Sequence, residues 1–276
     1  MADAVQPLEV VQAPALSAPD ANVAECLQPE KRRAPVREYA ESLLVTIILA
    51  LFGTTFVLQA YKIPSPSMVP TLQIGDHLLV NKFIFGGHGA WYEKVLPYRA
   101  IRRGDIIVFK FPFDAHEHYV KRVIGIPGDR VKIADGQVYV NEVPLNEPYV
   151  YHDPAAHYHP FNDAFPPTSP DFLREQVRPE WAGQLLHHVK DGELVVPANE
   201  YFAMGDNRDQ SWDSRYWGFV DRDAIMGAPV VVYWSLNSED DSLEDQTFSS
   251  RLTGIADALL HLKSRTRWNR MFHEVK

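Results

Sequence analysis

The longest apolar run lies early in the chain. No residue between Leu43 and Ala60 is charged, and apolar side chains would cover every side of a helix formed there, leaving no polar face. Such a helix would extend about 27 Å, just enough for a bilayer core that takes about 20 residues. Residues 42–61 therefore read as a retained transmembrane anchor. A buried helix would show a polar stripe, and a cleaved leader would start nearer the N-terminus with a core of only about 7–15 residues. Residues 1–41 read as a flexible tail rich in Ala, Pro and small polar residues. Lys31, Arg32, Arg33 and Arg37 precede the run and only Lys62 follows it closely, which predicts a cytoplasmic N-terminus with the rest of the chain on the outer side.

After Ile63 the pattern changes to short runs rich in β-branched and aromatic residues, separated by Gly, Pro and Asp. Strands are expected at His77–Lys82, Asp105–Phe111, His118–Ile126, Arg130–Ile133, Gln137–Val140, Tyr201–Met204 and Ala228–Ser235. Asp135-Gly136 between two of them signals a hairpin. No long helical patterns alternate with these runs, which disfavours a parallel α/β sheet. The fold class is therefore mainly β, with a β domain made of residues 62–148 and 200–276. Residues 149–199 hold many Pro, His and Asp with weak periodicity and read as an inserted subdomain or long excursion. Residues 237–249 read as an acidic loop; beyond it Leu252, Ile255, Ala256, Leu259 and Leu260 are spaced as a short amphipathic helix.

Composition narrows the classes. Charged residues at 23% and hydrophobic ones at 46% exclude a wholly disordered chain. Twenty-one prolines argue against a helical bundle. A net charge of −9 argues against dedicated nucleic-acid binding. One cysteine, Cys26, leaves no intrachain disulfide and no multi-cysteine zinc or iron–sulfur site.

Three stretches could carry chemistry. In Ile63-Pro64-Ser65-Pro66-Ser67-Met68-Val69-Pro70-Thr71-Leu72 two serines stand two apart on a proline-stiffened, extended segment. Alternate side chains of such a segment point the same way, so both hydroxyls could converge on one atom; a plain Pro/Ser linker is the other reading. A serine nucleophile needs a base. The histidines cluster as His116/His118, His152/His157/His159 and His187/His188, and a Ser-His-Asp arrangement, being set in space, stays open. None of these clusters carries a metal-ligand spacing pattern. Lys121 stands among apolar neighbours in Tyr119-Val120-Lys121-Arg122-Val123-Ile124. An ordinary lysine, with a pKa of about 10.4, cannot serve as a base at neutral pH, but burial can lower that by about 3–5 units; a surface lysine on a strand is the alternative. The third stretch is the polar loop from Met204 to Phe219, where Asp213 and Arg215 could pair and Ser211 could bond a buried amine, unless it is a solvated turn. Trp217 and Trp234 are candidates for a membrane interface or for the core.

Taken jointly and in this order, these stretches resemble bacterial type I signal peptidase (leader peptidase). The resemblance rests on Ser65-x-Ser67-Met68-x-Pro70-Thr71-Leu72 after an apolar run, Arg103-Gly104-Asp105-Ile106-Ile107-Val108-Phe109, Tyr119-Val120-Lys121-Arg122 with Gly125-x-Pro127-Gly128-Asp129, and Gly205-Asp206-Asn207-Arg208-x-x-Ser211-x-Asp213-Ser214-Arg215. These motifs span residues 60–235, with a weaker match around Arg267-Trp268-Asn269-Arg270. The resemblance implies an antiparallel β catalytic body of the signal-peptidase type, which here would follow the single transmembrane helix expected from the apolar run. It implies Ser67 as nucleophile, Lys121 as general base, and the Ser65 hydroxyl with the Ser67 N–H as oxyanion hole. Ser211 would orient the lysine, and Asp213 and Arg215 would form a supporting ion pair. Ile63, Met68, Leu72, Val108, Tyr119 and Val120 would line the substrate pocket. Exported preproteins cut after small residues of the Ala-x-Ala type would be the substrates, with the lipid bilayer as the second partner, at the cytoplasmic (inner) membrane with the catalytic domain outside it. The resemblance implies no cofactor and no metal. The chain from Ala60 to Ser67 reaches at most about 25 Å, which would keep Ser67 near the membrane surface. Two features depart from the family: only one membrane segment is found, and Pro66 separates the serines. A peptidase for a single secretion or conjugation partner and a non-catalytic anchored scaffold stay open; a Ser/Lys self-cleaving repressor would need a DNA-binding module that is not visible.

Overall fold

The structure, a computed structural model, describes residues 35–86, 98–155, 160–167, 177–237 and 262–275. The expected C-terminal helix and acidic loop, most of the tail, Cys26, His157 and His159 lie outside them. Residues up to Ala50 make one unit and Leu51–Lys276 another.

The apolar run is not one continuous helix. Helix α1 spans Pro35–Phe52, a π-helical turn covers Gly53–Val57, and strand β1 takes Leu58–Lys62. Among the described residues no helix is long and apolar enough to cross a membrane, which corrects the expected span over 42–61. Two local features explain the difference. The helix begins eight residues before the run and includes Arg37, Glu38 and Glu41, with Arg37 Nε bonded to Glu41 Oε1 at 2.8 Å. Its far end meets Gly53, Thr54 and Thr55, which are poor helix formers, and Leu58–Lys62 instead bonds to the open edge of the next strand. An uncharged run does not by itself separate these outcomes.

Seven expected strands are all present. They lie in β2 (Asp76–Asn81), β3 (Ile106–Phe111), β4 (Asp114–Gly125), β5 (Arg130–Ala134), β6 (Gln137–Val140), β11 (Glu200–Met204) and β13 (Ile225–Ser235). Short strands complete the set: β7 (Val143–Pro144), β8 (Ala164–Phe165), β9 (Val189–Lys190), β10 (Glu193–Val195), β12 (Val220–Asp221) and β14 (His273–Glu274). Short helices α2 (Pro160–Asp163), α3 (Pro179–Leu185) and α4 (Ser214–Trp217) fill connections. All strand pairs are antiparallel. One sheet runs β1-β2-β13-β3-β4-β11-β12 with β14 on β13, and the other runs β7-β6-β5-β10-β9 with β8 on β5. Asp135 and Gly136, at φ 50° and 75°, turn β5 into β6 as the hairpin motif requires.

Residues 149–199 do not stand apart as a body of their own. Their strands β8 and β10 bond directly to β5, so the second sheet begins at Arg130, well before the insertion. A single apolar cluster joins the sheets, with Val131, Val138 and Leu194 of the smaller one packed with Phe109, Phe202 and Trp217. Trp217 lies 5.7 Å from the Phe109 ring and 5.9 Å from that of Phe111, so it is a core residue and not an interfacial one. Trp234 is partly buried and donates to Thr266 Oγ1 at 3.2 Å. Strand β3 is apolar on both faces because each face serves a different core. Ile107, Phe109 and Phe111 enter the large cluster, while Ile106 and Val108 enter a smaller one with Ile63, Met68, Leu72 and Leu78. That smaller cluster seats the turn carrying Ser67.

Candidate active site

Pro66–Met68 forms one turn of 3-10 helix entered from an extended Ser65. Met68, buried in the smaller cluster, anchors the turn, and Ser67 beside it is itself buried. Its amide lies in the first turn, where helical N–H groups have no partner within the helix.

Lys121 comes from the middle of β4, opposite Ile107. Its Nζ lies 2.5 Å from Ser67 Oγ. Burial disfavours the ammonium and lowers the lysine pKa to about 8; Asp213 opposes that shift and Arg215 adds to it. Ser65 Oγ stands 3.4 Å from Ser67 Oγ. A hydroxyl touching a largely deprotonable amine is a competent proton-transfer pair, and a second hydroxyl beside it can donate to a developing oxyanion.

Strand β11 runs antiparallel to β4 and brings the polar loop alongside. Gly205 is required there by space. A Cβ on it would fall 2.3 Å from Ser211 Oγ and 2.4 Å from the Ser67 carbonyl oxygen. Asp213 and Arg215 pair as expected, fully buried, through Nε to Oδ1 and Nη2 to Oδ2, both at 2.8 Å. Burial alone would raise the Asp213 pKa; the Arg215 guanidinium and the Gly205 N–H at 3.1 Å outweigh it and hold the carboxyl below its ordinary value. Arg215 also donates to Asn162 Oδ1 at 2.7 Å and to the Arg208 carbonyl at 2.8 Å. Ser211 Oγ is buried with no hydrogen-bond partner among the described residues, so the expected bond to the lysine is not formed.

A cavity of about 490 Å³ opens in front of Ser67 and Lys121. Of the residues expected to line a substrate pocket, Ile63, Met68, Tyr119 and Val120 line this cavity. Leu72 and Val108 do not; both are wholly buried in the smaller cluster behind the turn. Being apolar and close in sequence to the motifs, they could not be told from wall residues by pattern. Of the candidate histidines, His118 lines the outer part of the cavity, 5.4 Å from the Tyr61 ring, while His152 faces Asp209 and His188 stacks on Trp181. Among the described residues no three His, Cys, Asp or Glu side chains converge as metal ligands.

Residues outside the expected set also converge here. Arg122 turns to the side of β4 opposite Lys121 and binds Asp206 through Nε at 2.8 Å and Nη2 at 2.7 Å. Thr71 donates to the same carboxylate at 2.6 Å. Asn207 donates from its backbone to the Ser67 carbonyl at 3.1 Å. Opposite charge was the only sequence signal for the pairing of Arg122 on β4 with Asp206 in the loop after β11, and that signal is common on protein surfaces.

The family "Signal peptidase, peptidase S26" matches residues 36–234. A "Probable signal peptidase I-2" of Synechocystis sp. is 34% identical over 203 residues, covering 71% of this chain and 72% of that protein. A "Signal peptidase I" of Pseudomonas fluorescens is 33% identical over 234 residues, covering 80% and 79%. A crystal structure of a signal peptidase I from Enterococcus faecalis V583 is 31% identical, covers 47% of this chain and 97% of its own, and aligns with a TM-score of 0.34. The extent of the family match and the identity and coverage of the two sequence relatives establish that the chain belongs to the signal peptidase family, peptidase S26.

Proposed function

We propose that this chain is a signal peptidase I, a serine endopeptidase that removes signal peptides from exported preproteins with a Ser/Lys dyad. The observation that carries this reading is the 2.5 Å approach of Lys121 Nζ to Ser67 Oγ at the wall of an open cavity, with the lysine pKa lowered to about 8. In the neutral form Lys121 accepts the Ser67 proton as Oγ attacks the scissile carbonyl. The oxyanion is held by the Ser67 N–H and the Ser65 hydroxyl; a donor of this kind is worth about 3–4 kcal/mol in the barrier. The protonated lysine then gives its proton to the leaving amine, leaving an ester on Ser67. Lys121 next takes a proton from water, which cleaves the ester. The Asp213–Arg215 pair keeps the loop behind Lys121 rigid, and Ser211 stands ready to receive the amine when substrate shifts it. Ile63, Met68, Tyr119 and Val120 give the cavity an apolar wall, which supports a preference for uncharged, apolar residues before the cut.

We also infer that the chain meets lipid through α1, where Leu43, Leu44, Ile48, Leu49 and Phe52 are exposed together. Large exposed apolar surface of this kind marks a contact with membrane or protein.

The deciding experiment incubates full-length protein in detergent with a preprotein bearing an Ala-x-Ala site, beside Ser67→Ala and Lys121→Ala. Wild type cleaves at that site, and each variant loses at least about a thousandfold in kcat while its circular dichroism stays native. Substantial cleavage by either variant in a clean preparation refutes the dyad. No cleavage by the folded wild type moves the reading to a specialised peptidase or a scaffold.

A further inference from the structure

Ser67 does not fix its own position. Its carbonyl accepts from Asn207 N at 3.1 Å, and the Pro66 carbonyl accepts from Asn207 Nδ2 at 3.3 Å. The separation of Ser67 from Lys121 therefore depends on where the loop at 205–208 sits. That loop is clasped from the side away from the cavity by residues 147–151, a stretch with no place in the dyad. The Tyr151 N–H donates to the Asp206 carbonyl at 2.8 Å, and the Tyr151 carbonyl accepts from Arg208 N at 3.1 Å, a bridge astride Asn207. The buried Glu147 carboxylate takes both terminal nitrogens of Arg208, whose Nε donates to the Gly205 carbonyl at 3.2 Å. Tyr149 sits between these features: its hydroxyl donates to Glu147 at 3.1 Å, and its ring lies 3.8 Å from Arg122 Cζ.

Arg122 is the residue after Lys121, and its partner Asp206 is the residue before Asn207. A circuit thus runs from Lys121 through Arg122, Asp206 and Asn207 to Ser67. Tyr149 closes it by covering a face of the guanidinium whose Nε–Nη2 edge is taken by the carboxylate. A cation stacked on an aromatic face is held most firmly where water is excluded, and the side chains of both Arg122 and Asp206 are within 3% of complete burial.

We propose that Tyr149 is a positioning residue. Its ring fixes the Arg122–Asp206 pair and so sets the Ser67–Lys121 separation that proton transfer needs. This rests on reading Ser67 and Lys121 as the reacting pair. Angular and distance tolerance in such pairs is small, so a loosened circuit lowers kcat and leaves substrate binding in the cavity nearly intact.

The test uses the full-length protein and three variants, Tyr149→Leu, Tyr149→Phe and Glu147→Gln, with preprotein cleavage and amide hydrogen exchange as readouts. In Tyr149→Leu kcat falls about tenfold with KM within about twofold. Exchange speeds up in peptides covering Ser67 and Asn207 but not in β6. Tyr149→Phe, which keeps the ring, recovers at least half of wild-type kcat. Unchanged kcat, a kcat loss without local exchange, equal loosening of β6, or no recovery by Phe each overturns the proposal. If Tyr149→Leu does not fold, Glu147→Gln decides, with a smaller kcat loss and the same local exchange expected, and a wild-type result overturning it. Exchange does not depend on cleavage. If wild type fails to cut the preprotein, the functional reading falls, and exchange still shows whether Tyr149 holds the turn.

Discussion

On the proposed mechanism, Lys121 sets the pH dependence of cleavage. With its pKa near 8, the fraction of neutral amine drops about tenfold for each pH unit below that value. The expected kcat/KM therefore rises from pH 6 to about 8 and then levels, and a profile flat down to about pH 5 would exclude a lysine base. The same burial has a cost in stability. The unfolded lysine protonates near 10.5 and the folded one only near 8, so the penalty is absent above the first value and complete below the second. Lys121→Met should accordingly be more stable than wild type at pH 7, by on the order of 3 kcal/mol in denaturant unfolding. The gap should close as the pH approaches 10.5. An equal gap at both ends would show that packing and not charge burial separates the two proteins. Ser67 and Lys121 were singled out by the joint resemblance of the motifs, since each stretch alone left a linker or a surface-lysine reading open. That Ser211 Oγ is left without a hydrogen-bond partner among the described residues was not legible, because a missing hydrogen bond leaves no mark in a sequence.

Two glycines show how elements meet. Gly205 passes so close to the Ser67 carbonyl that any side chain must displace the turn, and Gly227 lets β13 cross from β3 to β2, where a Cβ would fall 2.2 Å from the Asn81 carbonyl oxygen. Gly205→Ala should lower kcat by at least about a hundredfold with a modest change in melting temperature. Gly227→Ala should lower stability by about 1–3 kcal/mol and leave kcat of the remaining folded protein unchanged. Equal effects of the two changes on both measurements would refute this division. Strands were foreseen where they are four or more residues long and rich in β-branched, aromatic or other apolar side chains. They were missed where they are two or three residues long, as in β7, β9 and β12, since pairing by a neighbour and not local preference makes them strands. The helix end at Phe52 was misplaced for the same reason, because β1 exists through its bonds to β2.

The molecule as a whole combines a double-sheet body with an exposed apolar helix. Phe109, Phe111, Phe202 and Trp217 fill the space between sheets, so Trp217→Ala should cost about 3–5 kcal/mol and leave lipid affinity unaltered. Leu44→Glu with Ile48→Glu on α1 should do the reverse, abolishing flotation with liposomes while the melting temperature holds. Flotation unaffected by that double change would remove the proposed lipid contact. A loss of flotation in Trp217→Ala would return that residue to the membrane surface.

The order of the motifs, the seven main strands and their turns, and the family were all written in local pattern, because strand preference, turn chemistry and motif spacing act over a few residues. Contacts between distant residues were not. That Lys121 reaches Ser67, that Arg122 meets Asp206 beneath Tyr149, that Leu72 and Val108 pack behind the site, and that residues 149–199 extend the second sheet all depend on which strands pair. Pairing is chosen by the burial of whole faces and the satisfaction of whole edges, sums over many residues that no short stretch contains.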